Sequence, residues 1–370
     1  MKKNIILSLL AFALTILLAF PAYNAAGKSK PVSVDFSKKF KWTCQSGWQP
    51  ATPHHKQVVN WAKRVERQSG GRLKIKVYPA GAVVAPFEIY DAVRTGAIQA
   101  GHQWAGFWMA QDMTICLLAN SPSFFDIDGY LAWLMAGGGF DFWKDVRNGE
   151  VISIFAGILP HETGMWSNRE LNTLKDFKGL KYRGPIHNND MLKTLGVAPV
   201  FLPPGEIISA LRTGVVDAAE FSTPATDYSI GFHEVAKYYY FPGIHQYVQV
   251  QDLIINPKAW AELPDDLKAI VVGAAHQQIA VDHSEWWMAD LDAMDKIRKY
   301  GTKIRKFTPE IQNYQVNTYI ANYEKYAAKN PLFAKVWEHQ KNFLRRYYPY
   351  VELQTVEWAD KNKFIKSLMK

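Results

Sequence analysis

Three side chains stand out for the chemistry they could do: Arg183 in "KYRGP", Glu220 at the end of "GVVDAAE", and Glu162 in "PHETGMW". A guanidinium can grip a carboxylate through two parallel hydrogen bonds. An Arg before Gly-Pro is equally placed to be a surface salt-bridge partner, and spacing alone leaves both readings open. Glu220 could equally be a loop acid paired with a Lys or Arg. If they met, two acids such as Glu162 and Glu220 could suit a glycosidase, whose carboxyls lie roughly 5–9.5 Å apart. Beside a third acid they would repel unless a cation sat between them or one kept its proton. Gln246 in "GIHQ" could contact a ligand or cap backbone, and Trp108 and Trp166 could wall a pocket or fill a core. No G-x-S-x-G occurs and no Cys/His spacing resembles a zinc site. "PHHK" at 53–56 reads as a surface helix start, because adjacent helical histidines do not face one site. An oxidising compartment would permit a disulfide between Cys44 and Cys116, but nothing in the sequence shows that they meet.

Those residues must be carried by regular elements. "FKWTCQSGW" and "LKIKVYPAG" alternate as strands, with a helix between them that opens at Thr52-Pro53 and stops at Gly70-Gly71. "FEIYDAVRTGAIQAG" then gives a short helix with Ile89, Ala92 and Val93 inward, and a further strand follows. A near-copy, "GEIISALRTGVVDAAE", aligns without a gap: Glu88 on Glu206, Arg94 on Arg212, Gly96 on Gly214. "VISIFAGILP", "GLKYRGP" and "APVFLP" read as strands of a second half that replays the first. The two copies should deliver Gln103–Trp108 and Asp217–Pro224 to comparable places, where α/β sheets bind ligands. Beyond about 250 the pattern turns helical, with a long amphipathic run after Leu263-Pro264 and two helices broken at Asn330-Pro331.

At 370 residues two lobes are expected, and 48% hydrophobic content is globular. The formal charge of +9 is scattered, with no dense basic run interleaved with aromatics, so nucleic acid is a poor partner. Lys2 and Lys3, then the apolar run Ile5–Phe20 and small residues at Ala22, Ala25 and Ala26, read as a secretory signal peptide. A periplasmic, exported protein is expected.

At "FKGLKYRGP", "LGVAPVFLPPGEIISALRTGVVDAAE" and "GFHEVAKYYYFPGIHQ" the chain resembles the extracytoplasmic solute receptors of TRAP transporters, the DctP-like family, in its branch for 2-oxo acids and related carboxylates. The resemblance covers nearly the whole chain after the signal. It implies an α/β, two-lobed periplasmic-binding-protein-like fold of the Venus-flytrap type, with a long inter-lobe helix and a helical C-terminal region. The expected parts are a signal peptide at 1–26, a first lobe at 27–155 completed by part of 245–290, a second at 156–244 completed by part of 290–345, and a tail at 346–370. It implies no catalysis, a small organic acid as ligand, a membrane permease as partner, and pairing of two copies through C-terminal helices. Arg183 would bind the carboxylate, with Glu162, Gln246, Trp108, Trp166 and Phe221 around the ligand. Glu220, Phe221 (by its main chain) and Glu162 would hold Ca²⁺ or Na⁺ bridging to it. Two departures stand out. Glu162 replaces the usual Gln, which favours a divalent ion or a ligand with an added donor, and "IHNN" at 186–189 replaces the usual glycines. A sugar or polyol receptor, and an exported glycoside hydrolase, are the rival readings.

Overall fold

Strand pairing divides the structure, a computed structural model, into two six-stranded sheets. It describes residues 35–200, 202–358 and 360–368; the expected signal peptide lies outside them. The chain parts into units Met1–Lys38 and Lys39–Lys370, and both sheets lie in the second. In chain order the strands are β1 (Phe40–Ser46), β2 (Leu73–Tyr78), β3 (Ala100–Gln103), β4 (Asn120–Ser121), β5 (Ile152–Ile158), β6 (Met165–Ser167), β7 (Lys181–Arg183), β8 (Ala198–Val200), β9 (Ala218–Ala219), β10 (Tyr238–Phe241), β11 (Val248–Ile255) and β12 (Lys303–Lys306).

The first sheet runs β2-β1-β3-β11-β4 with β5 also on β11; the second runs β12-β10-β6-β9-β7-β8. Within each sheet three parallel strands repeat one motif. β1 lies between β2 and β3, and β7 lies between β8 and β9. The repeated helices, Ile89–Thr95 and Ile207–Arg212, each precede the third strand of their motif. Gly96 (φ 84°) and Gly214 (φ 72°) follow them in the left-handed conformation that glycine adopts without Cβ strain. The sequence repeat is therefore a topological one.

β5 departs from the sequence reading: instead of opening the second half it pairs antiparallel with β11 in the first sheet. Each lobe thus receives a strand from the far side of a crossing. The chain crosses from β5 to β6 through residues 159–164, and returns from β10 to β11 through 242–247.

The helix Asp265–Tyr300 spans about 54 Å at 1.5 Å per residue. Its buried stripe, Leu267, Val271, Ala274, Gln278, Asp282, Trp286, Asp290, Ala293 and Ile297, recurs every three or four residues. It packs on β5 of the first lobe and on the helix Pro224–Ile230 of the second. The helix Pro331–Gln354 runs beyond the expected start of the tail, with Pro349 inside it. Tyr347 and Tyr348 hold it by donating to Asp126 and to the Phe124 carbonyl.

Cys44 and Cys116 are free thiols. Cys44 packs with Trp61 and Val271 on one side of the first sheet, whereas Cys116 belongs to the larger core with Tyr323 and Phe125. Burial pushes the Cys116 thiol up to about 12.

Candidate functional site

β7 and β9 are parallel neighbours, with Arg183 paired with Ala219, so both deliver their last side chains to the same edge. The Glu220 amide donates to the Arg183 carbonyl at 3.1 Å, which fixes that alignment. Arg183 Nη1 donates to the Glu220 main-chain oxygen at 2.7 Å and to its Oε1 at 3.1 Å. Nε donates to the Leu202 carbonyl at 3.3 Å. Among the described residues Nη2 has no protein partner, so half of the guanidinium fork remains for a ligand. Arg183 and Glu220 are both buried.

The two crossing segments supply the other groups. They touch where Gly243 donates to the Glu162 carbonyl at 3.0 Å. A Cβ on Gly243 would lie 2.5 Å from the carbonyl oxygens of Glu162 and Thr163, so only glycine allows this approach. One short turn further, Ile244–Gln246 brings His245 into the site. His245 Nε2 lies 3.3 Å from Glu220 Oε2 and 3.8 Å from Glu162 Oε2. His187, from the "IHNN" segment, places its Nε2 3.1 Å from the His245 carbonyl and steadies that turn. Burial pushes His187 down to about 3, so it is neutral.

Glu162, Glu220 and His245 each offer a ligand atom, and these atoms lie within 4.8 Å of one another. Glu162 is 2% exposed, yet neither of its carboxylate oxygens has a hydrogen-bond partner. An ionised carboxylate is not left so without cost. Burial first, then the nearby Glu220 and Asp227 carboxylates, hold the Glu162 carboxyl well above its usual range. The orphaned oxygens and the converging donors fit a bound cation. Glu162, Glu220 and His245 would hold it. Nothing in the sequence marks His245 as a site residue, although its neighbour Gln246 stands out.

A crevice opens between this cluster and the first lobe. Its empty space, counting the open mouth and the solvent in it, is about 510 Å³. The floor is Arg183, Glu220 and Phe221; the facing wall is Trp48, Trp104 and Phe107, with Gln246 from the crossing and Gln249 from β11. The Trp48 and Trp104 indole N–H groups and the Gln246 amide nitrogen are buried and without partners. Among the described residues lining the crevice only Arg183 and Glu220 are charged.

The other expected contacts lie elsewhere. Trp108 ends a 3₁₀ turn, Ala105–Trp108, and is not among the lining residues; its ring packs near Tyr90, at 5.8 Å between centroids, and under the Arg147 guanidinium. Adjacent residues of such a turn point about 120° apart, so Phe107 faces the crevice and Trp108 faces the core. Trp166 stacks on Tyr239 at 3.8 Å within the second lobe and donates to Asp227 at 2.9 Å, also away from the crevice. His54 overturns the surface reading of "PHHK". It is 1% exposed, stacks on Trp48 at 4.2 Å, and meets Ser222 Oγ and Thr226 Oγ1 at 3.4 Å each. Its value as a contact between lobes had no signal in the sequence.

A model of the family described as bacterial extracellular solute-binding protein, family 7 (DctP), matches residues 45–330. A monocarboxylate 2-oxoacid-binding periplasmic protein of Nostoc sp. is 28% identical over 321 residues, 86% of this chain and 88% of that protein. A TRAP periplasmic solute binding protein from Pseudoalteromonas atlantica, solved with bound sodium and pyruvate, is 27% identical with a TM-score of 0.81, covering 88% of this chain and 99% of that one. Another from Colwellia psychrerythraea, solved with calcium and pyruvate, is also 27% identical with a TM-score of 0.81, covering 89% and 100%.

Proposed function

The chain belongs to family 7 of the bacterial extracellular solute-binding proteins, the solute receptors of TRAP transporters, and from that premise we propose that it captures a small 2-oxo monocarboxylate between its lobes. The observation that carries this reading is the free half of the Arg183 fork beside the unpartnered Glu162 carboxylate. Arg183 grips the carboxylate through Nη2, while its other nitrogens stay on Glu220 and Leu202. A cation on Glu162, Glu220, His245 and the Phe221 main chain would cancel the repulsion among the carboxylates and draw in the ligand's carboxylate and 2-oxo oxygens. The 2-oxoacid named for the Nostoc relative and the pyruvate in two solved relatives support that class.

The tail of the ligand faces donors rather than charges. Two indole N–H groups and the Gln246 amide await acceptor oxygens, while a second carboxylate would meet no second cation in the crevice wall. This favours monocarboxylates over dicarboxylates. The sugar reading lacks a role for a buried guanidinium, and catalysis is not part of the proposal.

The wider reading follows from the family. The chain is exported to the periplasm after loss of residues 1–26. Its lobes are 27–155 and 156–244, completed by parts of 245–290 and 290–345. It delivers its ligand to a TRAP permease. No described helix is long and apolar enough to cross a membrane. The tail exposes the apolar side chains of Leu353, Val356 and Leu368, and two copies would pair through the C-terminal helices.

A thermal-shift screen of the protein against 2-oxo, 2-hydroxy and dicarboxylic acids, with sugars as controls, tests the proposal. A ligand at about 100 times its dissociation constant adds roughly 2.7 kcal/mol. The expected result is a selective shift with pyruvate or a longer 2-oxo acid, lost in Arg183→Ala. A shift with sugars alone would overturn it.

A further inference from the structure

We infer that the crevice is built for a 2-oxo monocarboxylate that carries an uncharged oxygen, a hydroxyl above all, beyond its 2-oxo group, and that Trp48 and Trp104 select it. The inference rests on the receptor reading for the carboxylate end of the ligand and concerns only the other end.

The wall that faces Arg183 presents donors with nothing to donate to. Trp48, Trp104 and Gln246 all line the crevice and are 2%, 6% and 2% exposed. Among the described residues, Trp48 Nε1, Trp104 Nε1 and Gln246 Nε2 have no hydrogen-bond partner. Buried N–H groups in native proteins are nearly always satisfied. An indole N–H only donates, so its partner must be an acceptor. The carboxylate that lines the crevice is already engaged: Glu220 Oε1 accepts from Arg183, and Oε2 lies 3.3 Å from His245 Nε2. The missing acceptor therefore belongs to the ligand.

Both indoles are clamped. The Trp104 ring lies over the main chain of Gly106, where even a Cβ would collide with it, and it meets Phe107 edge-on at 5.5 Å. Trp48 stacks on His54 at 4.2 Å and meets Phe107 at 5.6 Å. Neither N–H can swing to another acceptor without breaking these contacts. Donors fixed in this way favour the ligand that matches them, because little ordering is left to be done on binding.

Three kinds of tail can then be ranked. An alkyl tail offers no acceptor and leaves the donors buried and unpaired. A site built to bond a substrate hydroxyl rejects the analogue lacking it far more strongly than an apolar pocket rejects one methylene. A second carboxylate accepts, but it buries a charge with no second cation in the wall. An uncharged oxygen avoids both penalties. A hydroxyl also has a proton to give, and the Gln246 amide pairs a donor nitrogen with an acceptor oxygen.

The test is calorimetric titration of the protein, in buffer containing Na⁺ and Ca²⁺, with acids matched in their number of non-hydrogen atoms. Hydroxypyruvate is set against 2-oxobutyrate, and 4-hydroxy-2-oxobutyrate against 2-oxopentanoate. The hydroxylated member of at least one pair should bind at least about tenfold more tightly. Trp48→Phe and Trp104→Phe keep a ring and remove the N–H. Each should bring the ratio within that pair towards one, whatever happens to the affinity for both members. Loss of packing alone would weaken both members alike and leave the ratio standing. Far-ultraviolet circular dichroism checks that both variants fold. Equal or tighter binding of the alkyl member in both pairs would overturn the inference while leaving the receptor reading intact, and so would a preference that survives both substitutions. Binding of none of the four acids would sink the receptor reading, and the inference with it.

Discussion

Arg183 and Glu220 form a bonded pair at the carboxyl ends of two adjacent parallel strands: Nη1 lies 2.7 Å from the Glu220 main-chain oxygen and 3.1 Å from its Oε1. The pair sets both the position of the guanidinium and the direction of the free carboxylate oxygen. One residue therefore serves the ligand's carboxylate and the geometry of the cation donors.

Arg183→Ala should abolish acid binding and also destabilise the protein. Removing one partner of a buried ion pair costs about 3–5 kcal/mol, because the other charge is left unpaired. Arg183→Lys should restore part of the stability but little of the affinity, since an ammonium lacks the planar fork. Calorimetric titration with pyruvate alongside chemical denaturation checks both; full binding by the Lys variant would remove the fork from the account.

Gly243→Ala should lower stability by about 1–3 kcal/mol, the usual cost of forcing extra volume into packed structure. Its Cβ meets two carbonyl oxygens at 2.5 Å, and relief requires the crossing segments to part. Separation would move Glu162 from His245, so ligand affinity should fall as well. Gly273→Ala, with nothing within 4 Å of the added carbon in the long helix, should be neutral or mildly stabilising. Thermal melts of the two variants give the comparison.

His54→Ala should loosen closure of the lobes. The ring stacks on Trp48 at 4.2 Å and edges onto Trp286 at 4.5 Å. Each aromatic contact contributes roughly 0.5–1.5 kcal/mol beyond burial. The expected result is weaker ligand binding and, by small-angle scattering, a larger radius of gyration for the ligand-free variant. An unchanged radius with unchanged affinity would show that this contact has no part in closure.

Asp290 should give the protein a pH-dependent term. Its carboxyl accepts from Thr223 Oγ1 and the Ala225 amide, both at 2.7 Å, and burial raises it from 3.8 to about 7. Between those values the folded state binds a proton that the unfolded state has released. Its contribution is therefore most favourable below pH 4 and is lost as pH rises through about 7. The stability difference between the unaltered protein and Asp290→Asn should shift in favour of the variant as pH rises from about 4 to 7. Melting curves across that range measure it; a constant difference would mean that Asp290 stays ionised.

Supply of a second carboxylate should weaken binding. Pyruvate and succinate titrated against the same preparation test this, with succinate expected to bind less tightly, for want of a second cationic group in the crevice wall. Tighter succinate binding would show that the wall offers a positive group in the ligand-bound form.

Much of this was legible because it is written locally. Period-two and period-3.6 patterns, glycine stops and the repeat at 88–96 and 206–214 determined two parallel strand-helix motifs. They also placed Arg183 and Glu220 at strand ends, since a strand's end is marked by its own neighbours. The tertiary structure alone decided what met across the crossings. Segments 159–164 and 242–247 are short and aperiodic, so no pattern announces that Gly243 lies on Glu162 or that His245 faces two carboxylates. The membership of β5 in the first sheet, the separation of Cys44 from Cys116, and the burial of His54 between lobes were likewise settled by long-range packing. Sequence spacing describes a neighbourhood of a few residues, whereas a site built from four distant segments exists only after the chain has crossed between its lobes twice.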